Sequence, residues 1–267
     1  MRLPIFQVDA FTGALFSGNP AAVCPLEHWL DDRMLQSIAA ENNLAETAFF
    51  VRRETHGGGE ASYDIRWFTP TIEMDLCGHA TLASAWVLFH RGGRGGNRIE
   101  FHSKSGPLAV RRDGERLELD FPATPGLPCE APPLLIEGLG KAPRETLKGG
   151  DYLAVFESED DIRGIEPHFE AIAALDARGA IATAPGRDTD YVMRFFAPAA
   201  GVPEDPATGS IQCMLVPYWA GRLGKSRLRA RQLSARGAEF WCEHRGSRVG
   251  IAGRAVLYLE GTIEVRA

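Results

Sequence analysis

The sequence lacks a long hydrophobic run and an excess of basic charge, and each absence excludes a class of protein. Its longest largely apolar stretch, residues 80–89, is far shorter than the roughly 20 residues that cross a bilayer. With 35 acidic and 29 basic side chains, the net charge of -6 gives no attraction to nucleic-acid phosphates or anionic lipids. We therefore expect a small or neutral partner, with no nucleic acid and no membrane.

Cysteine is sparse, which bears on both the redox compartment and metal binding. The chain has five cysteines, an odd number without any C-x-x-C pair, and this fits neither a disulfide framework nor a zinc ribbon. They are Cys24, Cys77, Cys129, Cys213 and Cys242. The first residues are interrupted by Pro4, Gln7 and Asp9, where a signal peptide needs an unbroken apolar core. These observations predict reduced thiols and a soluble, cytoplasmic protein.

Motifs of three common enzyme classes are also missing. No G-x-G-x-x-G follows a strand pattern, and neither G-x-x-x-x-G-K-[ST] nor G-x-S-x-G occurs. Nicotinamide, ATP and serine-hydrolase chemistry are therefore without support. The composition is that of an ordinary globular chain, 45% hydrophobic and 24% charged over 267 residues, which allows one large domain or two small ones.

Strand and helix patterns alternate along the chain. Asp31 precedes a segment with apolar residues at helical spacing and is a candidate cap for that helix. A hairpin loop is expected at residues 57–59, and Asp-Gly at 113–114 indicates another hairpin. Residues 78–89 are apolar nearly all round, which predicts a helix buried on every side.

The second half of the chain repeats the order of patterns in the first. Residues 66–70 (RWFTP) match residues 194–198 (RFFAP) at an offset of 128, and each match is followed by a glycine-bearing turn into an apolar helix. Residues 105–106 (SG), with the strand pattern that follows them, resemble residues 236–237 (RG) at an offset near 131. The offsets predict two similar domains, each a sheet wrapped around one buried helix.

The predicted domains are residues 1–122, joined by the last strand at about 255–267, and residues 123–254. A cleft between similar domains is a favoured ligand position, and the apolar helices, predicted to begin near residues 78 and 208, would start there. Helix starts present unpaired N–H groups and a positive dipole end, so two of them would bind a carboxylate or another oxygen-rich anion. The alternative is an old duplication with a filled interface.

The turn into the first apolar helix, Cys77-Gly78-His79, is one candidate site. Glycine permits close backbone approach, and the cysteine and histidine side chains are capable of proton transfer. A buried cysteine beside a packed histidine is the structural alternative, and the spacing favours neither reading. Because no second cluster of cysteine and histidine occurs at ligand spacing, no metal is expected.

The corresponding segment of the second repeat, Glu204 to Ser210, is another candidate. Asp205 precedes a proline and is held extended by it, while Thr208 or Ser210 is placed to cap the following helix. An ordinary N-cap accounts for Asp205 and Thr208 but gives no reason for Gly209, one turn inside an apolar helix. A functional role is therefore favoured.

The third candidate is Glu46, at the junction of a helix and an apolar strand. Its neighbours Leu44, Ala45, Ala48 and Phe49 are apolar, so its carboxyl group would be partly desolvated and suited to taking and returning a proton. A glutamate exposed to solvent at a helix C-terminus is the alternative, and the spacing does not decide between them.

Six motifs, in a fixed order between residues 17 and 237, carry a family resemblance. They are Ser17-Gly-Asn-Pro-Ala-Ala-Val23, Asn43-Leu-Ala-Glu-Thr47, Phe68-Thr-Pro70, Cys77-Gly-His-Ala-Thr81, Glu204-Asp-Pro-Ala-Thr-Gly-Ser210 and Gln232-Leu-Ser-Ala-Arg-Gly237. Together they resemble the phenazine-biosynthesis PhzF-like family of isomerases. The resemblance implies a diaminopimelate-epimerase-like α+β fold of two pseudo-symmetric domains. Each domain would be a mixed β-sheet wrapped around a central buried helix, with the active site in the cleft between them.

The resemblance also implies a chemistry and a set of site residues. The catalytic residues are Glu46, as the acid/base that moves a proton, with His79 and Asp205. The implied substrate-binding residues are Asn19, Gly78, Ala80, Thr208, Gly209, Ser210, Arg236 and Gly237. The implied activity is cofactor-free proton relocation in a small carboxylate-bearing metabolite, with no metal, by a homodimer.

Two other functions remain open at this stage. An amino-acid epimerase would use Cys77 and Asp205, although epimerases of this fold use a cysteine in each repeat and the second repeat has Asp205-Pro206 in that place. A non-catalytic metabolite-binding or regulatory protein would keep the polar groups without turnover. The sequence identifies neither the physiological substrate nor a role in phenazine synthesis.

Overall fold

The computed structural model of the chain describes residues 1–53, 61–92 and 96–265. These residues form two compact units, the first comprising Met1–Asp120 with Ala252–Ala267 and the second Phe121–Ile251. The hairpin loop predicted at residues 57–59 lies outside the described residues.

Within the described residues the chain forms six α-helices, 17 β-strands and one 3-10 turn. The helices are α1 (Asp32–Asn42), α2 (Gly78–Arg91), α3 (Pro133–Leu139), α4 (Glu159–Arg163), α5 (Phe169–Ala173) and α6 (Gln212–Leu223). The strands are β1 (Arg2–Ala10), β2 (Asn19–Leu26), β3 (Glu46–Arg52), β4 (Ala61–Phe68), β5 (Glu73–Met74), β6 (Arg98–Ser103), β7 (Gly106–Asp113), β8 (Arg116–Pro122), β9 (Leu127–Pro128), β10 (Glu145–Lys148), β11 (Tyr152–Val155), β12 (Ala180–Pro185), β13 (Tyr191–Phe196), β14 (Arg227–Gln232), β15 (Ala238–Arg245), β16 (Arg248–Gly253) and β17 (Ala255–Glu264). The 3-10 turn is Pro198–Ala200.

The first unit is a mixed sheet whose strands pair in the order β17-β1-β2-β3-β4-β6-β7-β8. The pairs β2–β3 and β4–β6 are parallel, and the others are antiparallel. Helix α2 packs on β1, β2 and β3, and most of its side chains are buried, as its apolar sequence predicts. On α1, the predicted cap Asp31 accepts a hydrogen bond from the Arg33 N–H at 2.9 Å.

The second unit repeats this arrangement. Its strands pair in the order β9-β10-β11-β12-β13-β14-β15, with β11–β12 and β13–β14 parallel. From β1 to β7 in the first unit and from β10 to β15 in the second, the five pairings run antiparallel, parallel, antiparallel, parallel, antiparallel. Helix α2 comes after β4 and the two-residue β5, and α6 comes after the equivalent β13 and the 3-10 turn. The α+β fold of two pseudo-symmetric repeats is therefore confirmed.

One ion pair occurs at the same place in both repeats. The Arg66 guanidinium donates two hydrogen bonds to Glu73, at 2.7 and 2.9 Å, and lies 5.1 Å from the Phe68 ring centre. Arg194 does the same with Glu204, at 2.8 and 2.9 Å, 4.8 Å from the equivalent phenylalanine ring. The side chains of both pairs are largely buried, so the arginine of each RxF sequence links its strand to the segment that follows it.

Replacing Glu73 with Gln is expected to lower the free energy of unfolding by about 2 kcal/mol at pH 7, because two charge-assisted hydrogen bonds are lost. Hydrogen bonds from Arg66, followed by one from Lys104, lower the pKa of Glu73 to about 2. Stabilisation by a carboxylate with a lowered pKa is complete above its unfolded pKa of about 4.3 and is lost as the pH falls through the folded value. The difference between wild type and Glu73→Gln should therefore shrink below about pH 4.

Urea unfolding at several pH values measures this difference. The matched control is Glu264→Gln, whose partner Arg2 and own side chain are 79% and 62% exposed. Because exposed ion pairs contribute little, this variant should stay within about 0.5 kcal/mol of wild type. A difference for Glu73→Gln that is constant from pH 7 to pH 3 would contradict the assignment.

The second apolar helix begins later than the sequence predicts. It was expected to start at Thr208 with Thr208 or Ser210 as its cap, but α6 begins at Gln212 and its N-cap is Ile211, which makes no side-chain capping bond. The reason is that the polar groups of Thr208 are engaged elsewhere: its N–H donates to Gln232 Oε1 at 2.8 Å and its hydroxyl to Asp205 at 2.6 Å. Thr208, Gly209 and Ser210 therefore lie in a loop.

Helix length bears on the membrane question. The longest helix of the described residues, α2, has 14 residues, and none of the described helices combines the length and apolarity that crossing a bilayer demands.

Candidate active site

Glu46 is held at the start of a buried strand. Helix α1 ends at Asn42, and Asn43 takes the left-handed conformation (φ 49°) that commonly terminates a helix. The Asn42 side chain donates to the Thr47 hydroxyl at 3.1 Å, which fixes the chain as it enters β3. Glu46 then pairs with Ala21 on the parallel strand β2. Its side chain is only 14% exposed, which argues against the solvent-exposed alternative.

The start of α2 supplies the groups around this carboxylate. Gly78 is the first helical residue, and Cys77 stands at the N-cap in place of the usual serine, threonine, asparagine or aspartate. The N–H groups of the first helical turn have no carbonyl partner within a helix, and they carry the positive end of its dipole. His79, the second residue of α2, is buried, so a titratable side chain is fixed at the helix start.

Three side chains form a row, which we call the Glu46–His79–Cys77 row. His79 Nε2 lies 3.1 Å from Glu46 Oε2, and His79 Nδ1 lies 3.5 Å from Cys77 Sγ. The first contact has ion-pair distance without regular hydrogen-bond alignment, and neither atom has another hydrogen-bond partner among the described residues. Buried polar atoms in that situation are uncommon and point to a ligand or a moving proton.

The electrostatics of the row separate the roles of its members. Burial, and next the charge of Glu46, raise the pKa of the Cys77 thiol, so it is neutral at neutral pH and a poor base. Burial lowers the pKa of His79, but the negative charges available on Cys77 and Glu46 more than offset this, and the net pKa lies above its usual value. Because Cys77 stays neutral, the charge that favours imidazolium at neutral pH is that of Glu46.

The same three groups come close enough to hold a metal ion, with one ligand atom from each within 4.8 Å of the others. The histidine ring, however, turns Nδ1 to the thiol and Nε2 to the carboxylate. An imidazole in that orientation lies between its neighbours, whereas ligands of one ion must all point at a common centre. The arrangement suits proton transfer better than metal binding.

In the second unit, Asp205 and Thr208 are joined by a residue whose role the sequence did not show. Gln232, fully buried at the end of β14, donates from Nε2 to the Asp205 carbonyl at 2.6 Å and accepts from the Thr208 N–H. Ser234 donates to the Pro206 carbonyl at 2.7 Å. One buried amide and one hydroxyl thus fix the 205–208 loop, and the Gln232-Leu-Ser motif carried that signal without revealing the contacts.

The remaining residues implied by the resemblance are placed as follows. Asn19 is buried at the start of β2, two residues before the partner of Glu46. Gly78 and Ala80 lie in the first turn of α2. Gly237 adopts a φ of 68° and donates its N–H to Ser234 Oγ at 3.1 Å, with Arg236 beside it and half-buried. The predicted residues are therefore divided between the two units.

Arg178 is a further residue that sequence reasoning missed. Its guanidinium donates to both carboxylate oxygens of the buried Asp151, at 3.0 and 2.5 Å, and to Ser210 Oγ at 3.2 Å. No motif contains Arg178, and its partners lie 27 and 32 positions away, so only the folded chain brings them together.

The duplicated mixed sheets, each with a central helix, define a two-repeat protein of the diaminopimelate-epimerase-like fold, and the first repeat carries a buried carboxylate–imidazole pair. The chain belongs to the PhzC-PhzF family, described as phenazine biosynthesis-like protein, whose sequence profile matches residues 8–261. The match covers most of the chain, so the family resemblance seen in the motifs is confirmed.

Similar proteins agree with this placement. An uncharacterized isomerase of Pseudomonas aeruginosa is 51% identical over 99% of this chain and all of its own length. The crystal structure of a PhzF-family phenazine biosynthesis protein of Enterococcus faecalis, 43% identical, superposes with a TM-score of 0.95 over 99% of this chain and 100% of its own. A hydroxyproline epimerase of Agrobacterium vitis, 10% identical, has a TM-score of 0.63 over 98% of this chain and 92% of its own, a likeness of fold alone.

Proposed function

We propose that the protein is a cofactor-independent isomerase in which Glu46 takes a proton from one carbon of a small carboxylic acid and gives a proton to another. The observation that carries the proposal is the 3.1 Å contact between two buried atoms, Glu46 Oε2 and His79 Nε2, that have no other hydrogen-bond partner among the described residues. A carboxylate held beside an imidazole is placed to accept and return a proton.

The reaction balances without an oxidant or a second substrate. Glu46 accepts the proton of a C–H bond made acidic by conjugation, and the electron pair of that bond enters the conjugated system. Glu46, whose proton exchanges with solvent while the intermediate lasts, then protonates another carbon, so a new C–H bond forms there, the double bond moves and Glu46 is a carboxylate again. N–H groups at the start of α2, those of Gly78, His79 and Ala80, would stabilise the negative charge that develops in between.

His79 has a supporting role in this proposal. Its raised pKa favours imidazolium next to Glu46, and the positive charge would attract and orient the Glu46 carboxylate. Asp205, Thr208, Gly209, Ser210, Arg236, Gly237 and Asn19 are proposed to orient the substrate. The hydrogen bonds that fix the 205–208 loop support the part assigned to that loop.

An amino-acid epimerase that uses Cys77 and Asp205 is the competing reaction. The likeness in fold to the hydroxyproline epimerase and the position of Cys77 beside His79 favour it. The raised pKa of Cys77 opposes it, because a thiol must ionise before it can take a proton from carbon. The isomerase therefore accounts better for the site.

The proposal is tested by incubating wild-type protein in heavy water with a panel of small unsaturated cyclic acids and amino acids. Deuterium at a new carbon, together with a shifted double bond, is expected for at least one acid and is detected by NMR and mass spectrometry. Cys77→Ser should retain this exchange, since Cys77 takes no proton from the substrate. Inversion at one stereocentre that is lost in Cys77→Ser would instead establish the epimerase.

The family resemblance also motivates a proposal about assembly and location. We expect a homodimer in the cytoplasm, and light scattering should give twice the 29.1 kDa mass of one chain. A mass equal to one chain at micromolar concentration would reject the dimer.

A further inference from the structure

The second repeat has a pair of side chains at the place where the first has Glu46 and His79. In the first unit, Thr47 pairs with Phe68, and in the second Ala180 pairs with Phe196, the residue at the repeat offset of 128. The counterpart of Glu46 is therefore Gly179. A Cβ atom at Gly179 would lie 2.3 Å from the Phe196 carbonyl oxygen, so no side chain fits at that position.

The adjacent residue supplies the side chain instead. Arg178 reaches the hydroxyl of Ser210, which follows Gly209 just as His79 follows Gly78. The contact distances are similar, 3.2 Å from Arg178 Nη1 to Ser210 Oγ and 3.1 Å between Glu46 and His79. Where the first repeat has two groups that exchange protons, the second has a permanent cation and a hydroxyl.

Arg178 is held in one orientation by its neighbours. Asp151, whose side chain is 8% exposed, takes the Nε and Nη2 donors, and the guanidinium lies 5.0 Å from the Phe195 ring centre. A guanidinium has five N–H donors. Three are used by Asp151 and Ser210, which leaves two without an acceptor among the described residues. The side chain is 45% exposed, so a ligand can reach them.

The loop beside Arg178 offers further donors to the same ligand. The N–H groups of Gly209 and Ser210 make no hydrogen bond to another described residue. The Ser210 hydroxyl accepts from Arg178, so its own proton is free to point away from the guanidinium. Paired donors around a fixed guanidinium match the two oxygens of a carboxylate, whereas a neutral amide offers a single acceptor oxygen and no charge.

We propose that Arg178 and Ser210 form a carboxylate-binding site that restricts the protein to acids in their charged form. The proposal depends on the proposed function in one respect: the acid that binds at this site is taken to be the acid that exchanges deuterium. Asp151 is then a positioning residue, because its buried carboxylate aims the guanidinium without touching the ligand. Asp205 also acts on Arg178 electrostatically, and its own bond to Thr208 directs it toward the loop.

The test compares binding of benzoate with binding of benzamide, which has the same ring but no charge. Wild-type protein should bind benzoate at least about tenfold more tightly, as expected for a charge-assisted pair of hydrogen bonds. Arg178→Gln should remove this preference, Arg178→Lys should keep part of it, and Ser210→Ala should weaken benzoate binding several-fold. Dissociation constants are measured by calorimetry or NMR titration.

The chain offers a matched control within the second unit. Arg163 donates twice to Glu159, and the exposures of 49% and 7% nearly equal those of Arg178 and Asp151. Arg163→Gln should therefore lower the free energy of unfolding about as much as Arg178→Gln does but keep the preference for benzoate. Because Arg178→Gln leaves Asp151 buried without its cation, the double variant Asp151→Asn/Arg178→Gln tests the same loss in a protein without an orphaned charge.

The outcomes separate this site from the reaction at Glu46. Benzoate has no proton for Glu46 to relocate, so its binding to wild type and to Arg178→Gln reports on this site whether or not Glu46 is catalytic. For an acid that exchanges deuterium, Arg178→Gln should raise KM at least about tenfold and change kcat less, since a binding contact is removed. A preference for benzoate that persists in Arg178→Gln and in the double variant, or that is absent in wild type, overturns the proposal.

Discussion

A Glu46→Gln variant is expected to fold as wild type does and to exchange solvent deuterium into its substrate at least about 1,000-fold more slowly. Glutamine has the shape of glutamate but neither accepts nor releases a proton at neutral pH, and general acid–base groups typically contribute 10²–10⁴-fold in rate. Glu46 Oε2 has no regular hydrogen bond among the described residues, so the substitution removes the proton carrier without breaking a structural bond. Single-turnover exchange followed by NMR measures the loss.

A second carboxylate–imidazole pair in the same unit gives the control. Glu100 Oε1 lies 3.0 Å from His102 Nε2, with side chains 31% and 32% exposed. Glu100→Gln should leave the exchange rate within about twofold of wild type, since the pair is on the surface. The pKa of His79, raised in wild type, should fall in Glu46→Gln because the neighbouring negative charge is gone, and NMR of its ring protons reports this. Equal exchange rates in Glu46→Gln and wild type would eliminate the proposed mechanism.

Gly18→Ala is expected to reduce the free energy of unfolding by about 2–5 kcal/mol. Gly18 has a φ of 64°, which costs about 1–2 kcal/mol for an L-residue, and the added Cβ would lie 2.1 Å from the Ala10 carbonyl oxygen. Forcing an atom into occupied space adds roughly 1–3 kcal/mol or more. Ala10 pairs with Asn19 at the start of β2, and β2 pairs with Glu46, so the strand that aligns the Glu46 carboxylate must shift.

Gly114→Ala separates the two causes of this loss. Gly114 has nearly the same φ, 59°, but nothing lies within 4 Å of its Cβ position. It should lose only the roughly 1–2 kcal/mol of the left-handed conformation. Denaturant unfolding, together with exchange activity at low temperature, measures both variants. Equal losses at the two glycines would show that the contact with Ala10 is of no consequence.

The parts of the fold that depend on local pattern could be predicted from the sequence. The repeat was visible because RxF occurs twice, 128 residues apart. In the structure each of the two arginines pairs with a glutamate in the segment that follows its strand. Helix α2 was predicted because its apolar residues cover every face. The predicted start of α6, at Thr208, was wrong. The apolar sequence continues upstream of Gln212, but Gln232, which is distant along the chain, holds Thr208 in a loop.

The site residues likewise include some that the sequence predicts and others that only the structure shows. Glu46, His79 and Cys77 were singled out because glycine and titratable side chains occur together in short motifs. Their order in a row, with each imidazole nitrogen facing a different neighbour, required coordinates. Arg178 was missed because its partners are Asp151 and Ser210, which no periodicity or motif connects with it. Contacts between distant segments depend on sheet register, which a single sequence does not specify.

The pairing of β1 with β17 has a consequence for synthesis on the ribosome. Strand β1 pairs with β17 on one side and with β2 on the other. Next to the first pairing, the Met1 amino group donates to the Val265 carbonyl at 2.5 Å. The second unit is continuous, so all of its residues emerge before β17 does. The unit that begins first along the chain is thus the last to be completed. Until β17 emerges, β1 exposes an unpaired edge that invites association with other nascent chains.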